Sequence, residues 1–394
     1  MRILILSCNT GEGHNATARA IALAAEARGY TAEIRDALSY WPAGTNRFVC
    51  SGHVFLYKKA PELFGAGYRF FEMVSEYQQG RREAGKGKHM GEAIGLLVKR
   101  PSEKLYEDIC QGNYDAIVSV HVFASLMLTE IRRQWGEGHP TYFVATDYTC
   151  SPGVHLSDFD ACFIPAAGLT QEFISLGIPR EKLIPYGIPV RTDFYERLPK
   201  EKAKAMLGLP ADKRMVLMMS GSMGCGPIAE TVAAILKALP ADTVLAPVCG
   251  RNEALFEELS RLPQGGTSLF PVGFTKEIAT YMDAADLIVT KAGGLSSTEA
   301  AVKHLPIVFI DAIPGLESHN RDYFVAAGYA VSGDTPKEIA AKIADLLADP
   351  DTLTAMRERL AADFTHRSAE DIVSYVARDV ALAEATPPKE YAGL

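Results

Sequence analysis

Ile3-Leu4-Ile5-Leu6-Ser7-Cys8-Asn9-Thr10-Gly11-Glu12-Gly13-His14-Asn15-Ala16 is the stretch on which the fold turns. Four consecutive apolar residues followed by a polar, glycine-bearing run read as a buried parallel strand ending in a tight turn. From Thr17 to Arg28 the chain is alanine-rich with helical periodicity, and Gly29 stops it. Thr31 to Arg35 reads as a second strand. The same opening recurs downstream: Met215–Met219 as a strand, Ser220–Gly226 as a glycine-rich turn and Ile228–Leu239 as a helix. Further strands are predicted at Ala116–Val120, Thr141–Ala145, Ala161–Ile164, Val244–Val248, Leu287–Thr290 and Ile307–Ile310.

Strands alternating with helices predict an α/β protein with mostly parallel sheets covered on both faces. Two such units facing across a cleft predict a nucleotide site at strand C-termini. The predicted division is an N-terminal unit over residues 1–190, a second over 191–365, and a helical segment over 366–394 whose tail, from Thr386, is frayed. The junction falls at Gly187-Ile188-Pro189-Val190, before the polar Pro199-Lys200-Glu201.

At 394 residues, each half is long enough to bury its own core. A net charge of −8 gives no whole-protein basic field and argues against a nucleic-acid partner. Seven cysteines with no C-x-x-C pair suggest neither a disulfide framework nor a zinc site, and point to reduced thiols in the cytosol. The first residues lack the long apolar region of a signal peptide, and no run of about 18 apolar residues suits a bilayer span. Any membrane contact is expected to be peripheral.

Gly11-Glu12-Gly13-His14-Asn15-Ala16 fits G-x-G-x-x-A, with Asp36 twenty residues beyond Ala16. That pattern admits a nicotinamide-dependent oxidoreductase. His14 points elsewhere. In the first turn of a helix the dipole disfavours imidazolium, leaving a neutral ring able to take a proton from a substrate hydroxyl. A histidine that merely caps the turn is the alternative.

The second half carries a stronger signal. Ser220-Gly221-Ser222-Met223-Gly224 is a candidate diphosphate cradle. In Thr290-Lys291-Ala292-Gly293-Gly294-Leu295-Ser296-Ser297-Thr298-Glu299-Ala300 a strand ends, two glycines follow, and small hydroxyl residues open a helix. Amides and hydroxyls there can bind phosphate oxygens. Glu299 can accept both hydroxyls of a ribose, or act as a capping-box acid with Ser296. Ile313 to Asn320 follows the next strand and supplies polar groups able to read sugar hydroxyls, or simply a solvated loop.

With both glycine turns in place, the chain resembles the monogalactosyldiacylglycerol synthase and processive diacylglycerol glucosyltransferase family over roughly residues 2–375. The resemblance rests on Asn9 to His14, Ala145-Thr146-Asp147, Gly187 to Val190, Val248-Cys249-Gly250-Arg251-Asn252, Val272-Gly273-Phe274, Thr290 to Ala300 and Pro314-Gly315 to Asn320, in that order. It implies a GT-B fold, with two Rossmann-like parallel-sheet domains flanking a cleft and a C-terminal helix crossing back to the first domain. It implies inverting transfer of a hexose, glucose before galactose, from a UDP-sugar to diacylglycerol or a related lipid, with neither cofactor nor metal. By this likeness His14 and Asp147 lie on the acceptor side, His14 being the first choice of base. The Gly221–Gly224 turn, with Ser222, and the helix opening at Gly293, Gly294 and Ser297 would hold the diphosphate. Phe274 would flank the uracil, Glu299 would bind ribose, and Glu317 and Asn320 would meet the sugar. Gly13, Arg251 and Thr275 complete the implied donor site.

Relatives commonly carry Gly-Gln-Glu where this chain has Gly315-Leu316-Glu317. Leucine cannot hydrogen-bond a hydroxyl, so the hexose is left open. A polyprenyl-linked acceptor, a UDP-sugar epimerase and a non-catalytic UDP-sugar sensor are the neighbouring readings.

From Lys58 to Lys104 there are ten Lys/Arg against six Glu, in a chain that is acidic overall. Phe55, Tyr57, Tyr68, Phe70 and Phe71 are interleaved, and Arg81-Arg82 opens a basic, glycine-bearing stretch. This composition suits an anionic leaflet on the inner face of the cell membrane. Core aromatics and solvated charges are the alternative.

Overall fold

The computed structural model describes residues 1–9, 11–42, 89–136, 138–219, 228–262, 268–310 and 315–385. The aromatic and basic segment containing Phe55, Tyr57, Tyr68, Phe70, Phe71, Arg81 and Arg82 lies outside these residues. So does the turn with Gly221, Ser222 and Gly224.

The first lobe runs β1 (Arg2–Ser7), α1 (Glu12–Glu26), β2 (Thr31–Asp36), α2 (His89–Gly112), β3 (Ala116–Ser119), α3 (Val122–Trp135), β4 (Thr141–Val144), β5 (Ala161–Phe163), α4 (Thr170–Ser175) and β6 (Leu183–Ile184). Its sheet is parallel, in the order β2-β1-β3-β4-β5-β6. The second lobe runs α5 (Lys200–Leu207), β7 (Arg214–Met219), α6 (Ile228–Ala238), β8 (Thr243–Val248), α7 (Glu253–Ser260), β9 (Ser268–Leu269), α8 (Ile278–Ala284), β10 (Leu287–Thr290), α9 (Gly294–Val302), β11 (Ile307–Ile310), α10 (Leu316–Ala326) and β12 (Ala330–Gly333). Its parallel order is β12-β11-β10-β7-β8-β9. Helices α11 (Pro336–Ala348), α12 (Pro350–Asp363) and α13 (Ser368–Ala385) close the chain.

The α/β reading and the parallel sheets hold. In each sheet the strand order reverses next to the first strand, between β1 and β3 and between β7 and β10. Crossovers leave in opposite directions there and open a crevice at the strand C-termini. Short strands β6, β9 and β12 escape a reading of apolar runs because edge strands this brief carry too little hydrophobic pattern. Helix α1 starts at Glu12, five residues before its periodicity becomes visible. Its first turn, Glu12 to Ala16, is half-exposed and carries no core-facing stripe.

Strand residues Ile3, Ile5, Val118, Tyr142 and Phe163 share one buried cluster with Ala18 and Ile21 of α1, and with Ile372, Val373 and Val376 of α13. Helix α13 therefore leaves the second lobe and covers the first, and Tyr142 Oη donates to Asp379 Oδ2 at 2.7 Å. A second cluster passes without interruption from Phe143, Tyr148 and Phe194 to Ile288, Phe309 and Phe324, joining the lobes through apolar contact. Tyr148 stacks on Tyr323 with centroids 4.9 Å apart and meets Phe324 edge-on at 4.7 Å. Among the described residues no helix is long and apolar enough to cross a membrane.

At Gly294 the lobes approach backbone against backbone. A Cβ placed on Gly294 would lie 2.0 Å from the Thr146 carbonyl oxygen and 3.0 Å from Asp147 Oδ1. Alanine is intrinsically better than glycine in a helix by about 1 kcal/mol, but overpacking against an unyielding backbone costs about 1–3 kcal/mol. Gly294→Ala is therefore expected to lower the urea midpoint and to raise the radius of gyration in small-angle scattering. An unchanged radius with a raised midpoint would show that the lobes do not meet here.

Candidate active site

His14 sits in the first turn of α1, above the first crevice. Its Nδ1 lies 3.0 Å from the Val120 carbonyl oxygen and 3.2 Å from Thr146 Oγ1. A carbonyl oxygen only accepts, so Nδ1 carries the proton and Nε2 is the basic nitrogen of the neutral ring. The His121 ring meets it edge-on at 4.7 Å. His121 is the N-cap of α3, where its own Nδ1 accepts the Phe123 amide at 3.2 Å. Neither His121 nor Thr146 was given a role from sequence. The available signal was position alone: one directly past the C-end of β3, the other past β4, where a parallel sheet delivers side chains to its crevice.

Asp147 follows Thr146 but faces the other lobe. Its carboxylate takes the Gly294 amide at the start of α9, and its Oδ1 accepts Asn320 Nδ2 at 2.8 Å. Burial pushes this carboxyl up to about 6, and the nearby Glu317 charge adds to that, while the Asn320 and Gly294 donors pull it down. The small hydroxyl residues expected to cap α9 do not. Gly293 is the N-cap with no side-chain bond, Ser296 Oγ donates back to Gly293 O, and Thr298 Oγ1 donates to Gly294 O at 2.7 Å. The cap comes from the first lobe, as a carboxylate at the positive end of the helix dipole.

Asn320 is the residue expected to meet the sugar. It is fully buried, its Oδ1 accepts the Tyr148 amide at 2.6 Å, and its Nδ2 donates to Ala292 O at 2.9 Å as well as to Asp147. Its hydrogen-bonding groups are engaged by the protein. Ser297 is buried too, with a hydroxyl that meets no partner among the described residues.

Glu299 lies six residues beyond the N-cap Gly293, so it cannot close a capping box. Its half-buried carboxylate has no hydrogen-bond partner among the described residues. Burial drives it up to about 8, against the pull of Arg191 and with the push of Asp193. Arg251 lies over the Phe274 ring at 5.3 Å, and that ring is 61% exposed. Thr275 Oγ1 accepts the Glu277 amide and so shapes the turn that follows. Gly13 comes within van der Waals reach of Leu295 on α9, since a Cβ there would sit 3.9 Å from the Leu295 Cβ. Glu317 is half-buried on the first turn of α10, next to Leu316. Asp36, the ribose ligand of the nicotinamide alternative, already accepts the Leu38 and Asn9 amides and caps a 3-10 turn.

Two Rossmann-type sheets, with a histidine at one switch point and a helix N-terminus facing it from the other, define the GT-B fold. A. baumannii MurG shares this fold at a TM-score of 0.63 and 16% identity, over 96% of this chain and 99% of that one. Residues 14–190 match the monogalactosyldiacylglycerol (MGDG) synthase family and residues 215–372 match the glycosyltransferase family 28 C-terminal domain, and the chain belongs to this family of glycosyltransferases. It is 25% identical over 375 residues to the processive diacylglycerol beta-glucosyltransferase of Bacillus pumilus, covering 94% of this chain and 93% of the relative. The protein of the same name from Bacillus subtilis is 25% identical over 381 residues, covering 96% of this chain and 95% of that one.

Glu299 offers a test free of any substrate. Its folded pKa, about 8, stands above the ordinary 4.5, so the folded state holds the proton that the unfolded chain releases. Its contribution is most favourable below about pH 4.5 and is lost as pH rises through about 8. Glu299→Gln should flatten that part of the stability-pH curve and raise the melting temperature at pH 9. A parallel downward shift at every pH would show that the carboxylate is paired.

Proposed function

We propose that this glycosyltransferase moves a hexose from a UDP-sugar to the hydroxyl of diacylglycerol at an anionic membrane surface, with inversion and without a metal. The observation that carries the reading is the 3.0 Å approach of His14 Nδ1 to the Val120 carbonyl oxygen. A protonated Nδ1 held at Val120 O sets Nε2 as the proton acceptor in the turn nearest α9. The acceptor hydroxyl gives its proton to Nε2 while its oxygen attacks the anomeric carbon. The bond from that carbon to the diphosphate oxygen breaks, and UDP leaves from the opposite face. Amides at the start of α9 meet the negative charge that builds on the leaving group, a service that needs no reorganisation during the reaction.

Asp147 makes a poorer base for this step, because its carboxylate already accepts from Gly294 and Asn320. Glu299 would receive the ribose hydroxyls, and the Phe274 face beside Arg251 would take the uracil. Gly221, Ser222 and Gly224 would complete the diphosphate cradle. The diacylglycerol acceptor is supported by the name shared by the two Bacillus relatives, which also favours glucose over galactose. The aromatic, basic segment from Phe55 to Arg82 is the part of the chain suited to a peripheral contact with the inner leaflet.

Incubation of the protein with diacylglycerol in anionic vesicles and either radiolabelled UDP-glucose or UDP-galactose should yield a labelled glycolipid on thin-layer plates, with a β linkage by NMR and a rate unaffected by EDTA. His14→Ala should cut turnover about 100-fold or more while UDP binding by calorimetry stays within about twofold. Release of free or epimerised sugar without glycolipid would overturn the proposed transfer. Equal loss of UDP affinity would move His14 to the donor site.

A further inference from the structure

Asn320, on α10 of the second lobe, bonds the first lobe through both ends of its side-chain amide. Its Oδ1 accepts the Tyr148 amide at 2.6 Å, and its Nδ2 donates to Asp147 Oδ1 at 2.8 Å, both in the first lobe. The same Nδ2 donates to Ala292 O at 2.9 Å, in the turn between β10 and α9. The residue is fully buried, so water does not stand in for any of these partners. The bonds have a definite direction. Two acceptors, one a carboxylate oxygen and one a carbonyl, face the amide nitrogen, and a backbone N–H faces the amide oxygen. Only a carboxamide supplies both kinds of group at this spacing. Beside it, Tyr148 Oη lies 2.8 Å from Thr298 Oγ1 on α9, so two consecutive residues of the first lobe, Asp147 and Tyr148, are tied to the second.

We infer that Asn320 is a clasp between the lobes and a positioning residue for Asp147, rather than a sugar ligand. It holds the carboxylate against the Gly294 amide and so fixes how far the His14 turn stands from α9. Glu317, one turn earlier on α10, is the charged group facing Asp147, and its repulsion works against the clasp. A donor that draws α9 or α10 toward itself acts on Asp147 through this side-chain amide and through the Gly294 N–H. The inference rests on the proposed transfer only for its kinetic consequence, since the clasp itself is read without substrate.

The test replaces the amide by a carboxylate. Asn320→Asp keeps the shape and the acceptor for Tyr148 but removes the donor and sets two carboxylates against each other. With spin labels at exposed sites, one per lobe, the inter-lobe distance distribution should broaden and shift outward in Asn320→Asp. Adding Asp147→Asn to it restores a donor–acceptor pair of opposite sense and should recover much of the narrow distribution. In the single variant kcat should fall about 10- to 100-fold, the scale of a lost buried bond to a charged group, with KM for the UDP-sugar changed by less than about threefold. An unchanged distance distribution together with a raised KM and a normal kcat would make Asn320 a sugar ligand and overturn the clasp. A distance change that the double variant does not reverse would also overturn it, because the effect would then come from general damage to α10. Should the wild type transfer no sugar at all, the proposed function fails while the distance measurements still judge the clasp.

Discussion

The whole arrangement depends on the contact of Gly294 with Thr146 and Asp147. An α-helix presents four unbonded amides at its start, and here the first of them, from Gly294, is taken by a carboxylate of the opposite lobe. That exchange sets the distance between two crevices, each of which would otherwise be a surface feature of an isolated sheet. It also requires glycine at 294, since any Cβ would collide with the Thr146 carbonyl. The continuous apolar cluster through Tyr148, Tyr323 and Phe324 supplies the area of the junction, and the polar contacts fix its register.

The two residues next to that contact divide the chemistry. Thr146 turns its hydroxyl to His14, within the first lobe. Asp147 turns its carboxylate to α9 and Asn320, across the gap. One short turn after β4 therefore touches both the candidate base and the candidate leaving-group site. The lobes are joined a second time by α13, which carries Ile372, Val373 and Val376 from the end of the chain into the core of the first lobe. A helix anchored in that way limits how far the cleft can open, because separation must either bend the link before Ser368 or expose buried aliphatic surface. The gap itself is bounded by the first lobe at His14 and Asp147 and by the second at Gly294.

Much of the fold was legible in the sequence because parallel strands buried on both faces appear as uninterrupted apolar runs. Ile3 to Leu6, Leu287 to Thr290 and Ile307 to Ile310 needed no alignment partner to be seen. The strands that were missed, β6, β9 and β12, are two to four residues long and sit at or near sheet edges. His14, Asp147, Gly294 and Glu299 could be singled out because strand ends and helix starts are the places where a parallel sheet exposes polar groups. Their division of labour was not visible. Ser296, Ser297 and Thr298 look like a capping run in one dimension, yet the cap arrives from Asp147, about 150 residues away in sequence.

By itself the sequence determined two Rossmann-type lobes, the order of their strands along the chain, and the glycine turns at which charge would gather. Local pattern suffices for these, since strand burial, helix periodicity and turn chemistry are properties of neighbouring residues. Only the tertiary structure decided that Asn320 is a buried bond between lobes, that Asp147 looks toward the start of α9, and that His14 turns Nδ1 to a carbonyl oxygen. Each of those depends on which carbonyl or amide stands opposite a side chain. That opposition comes from the packing of one lobe on the other, for which no spacing along a single chain is a guide.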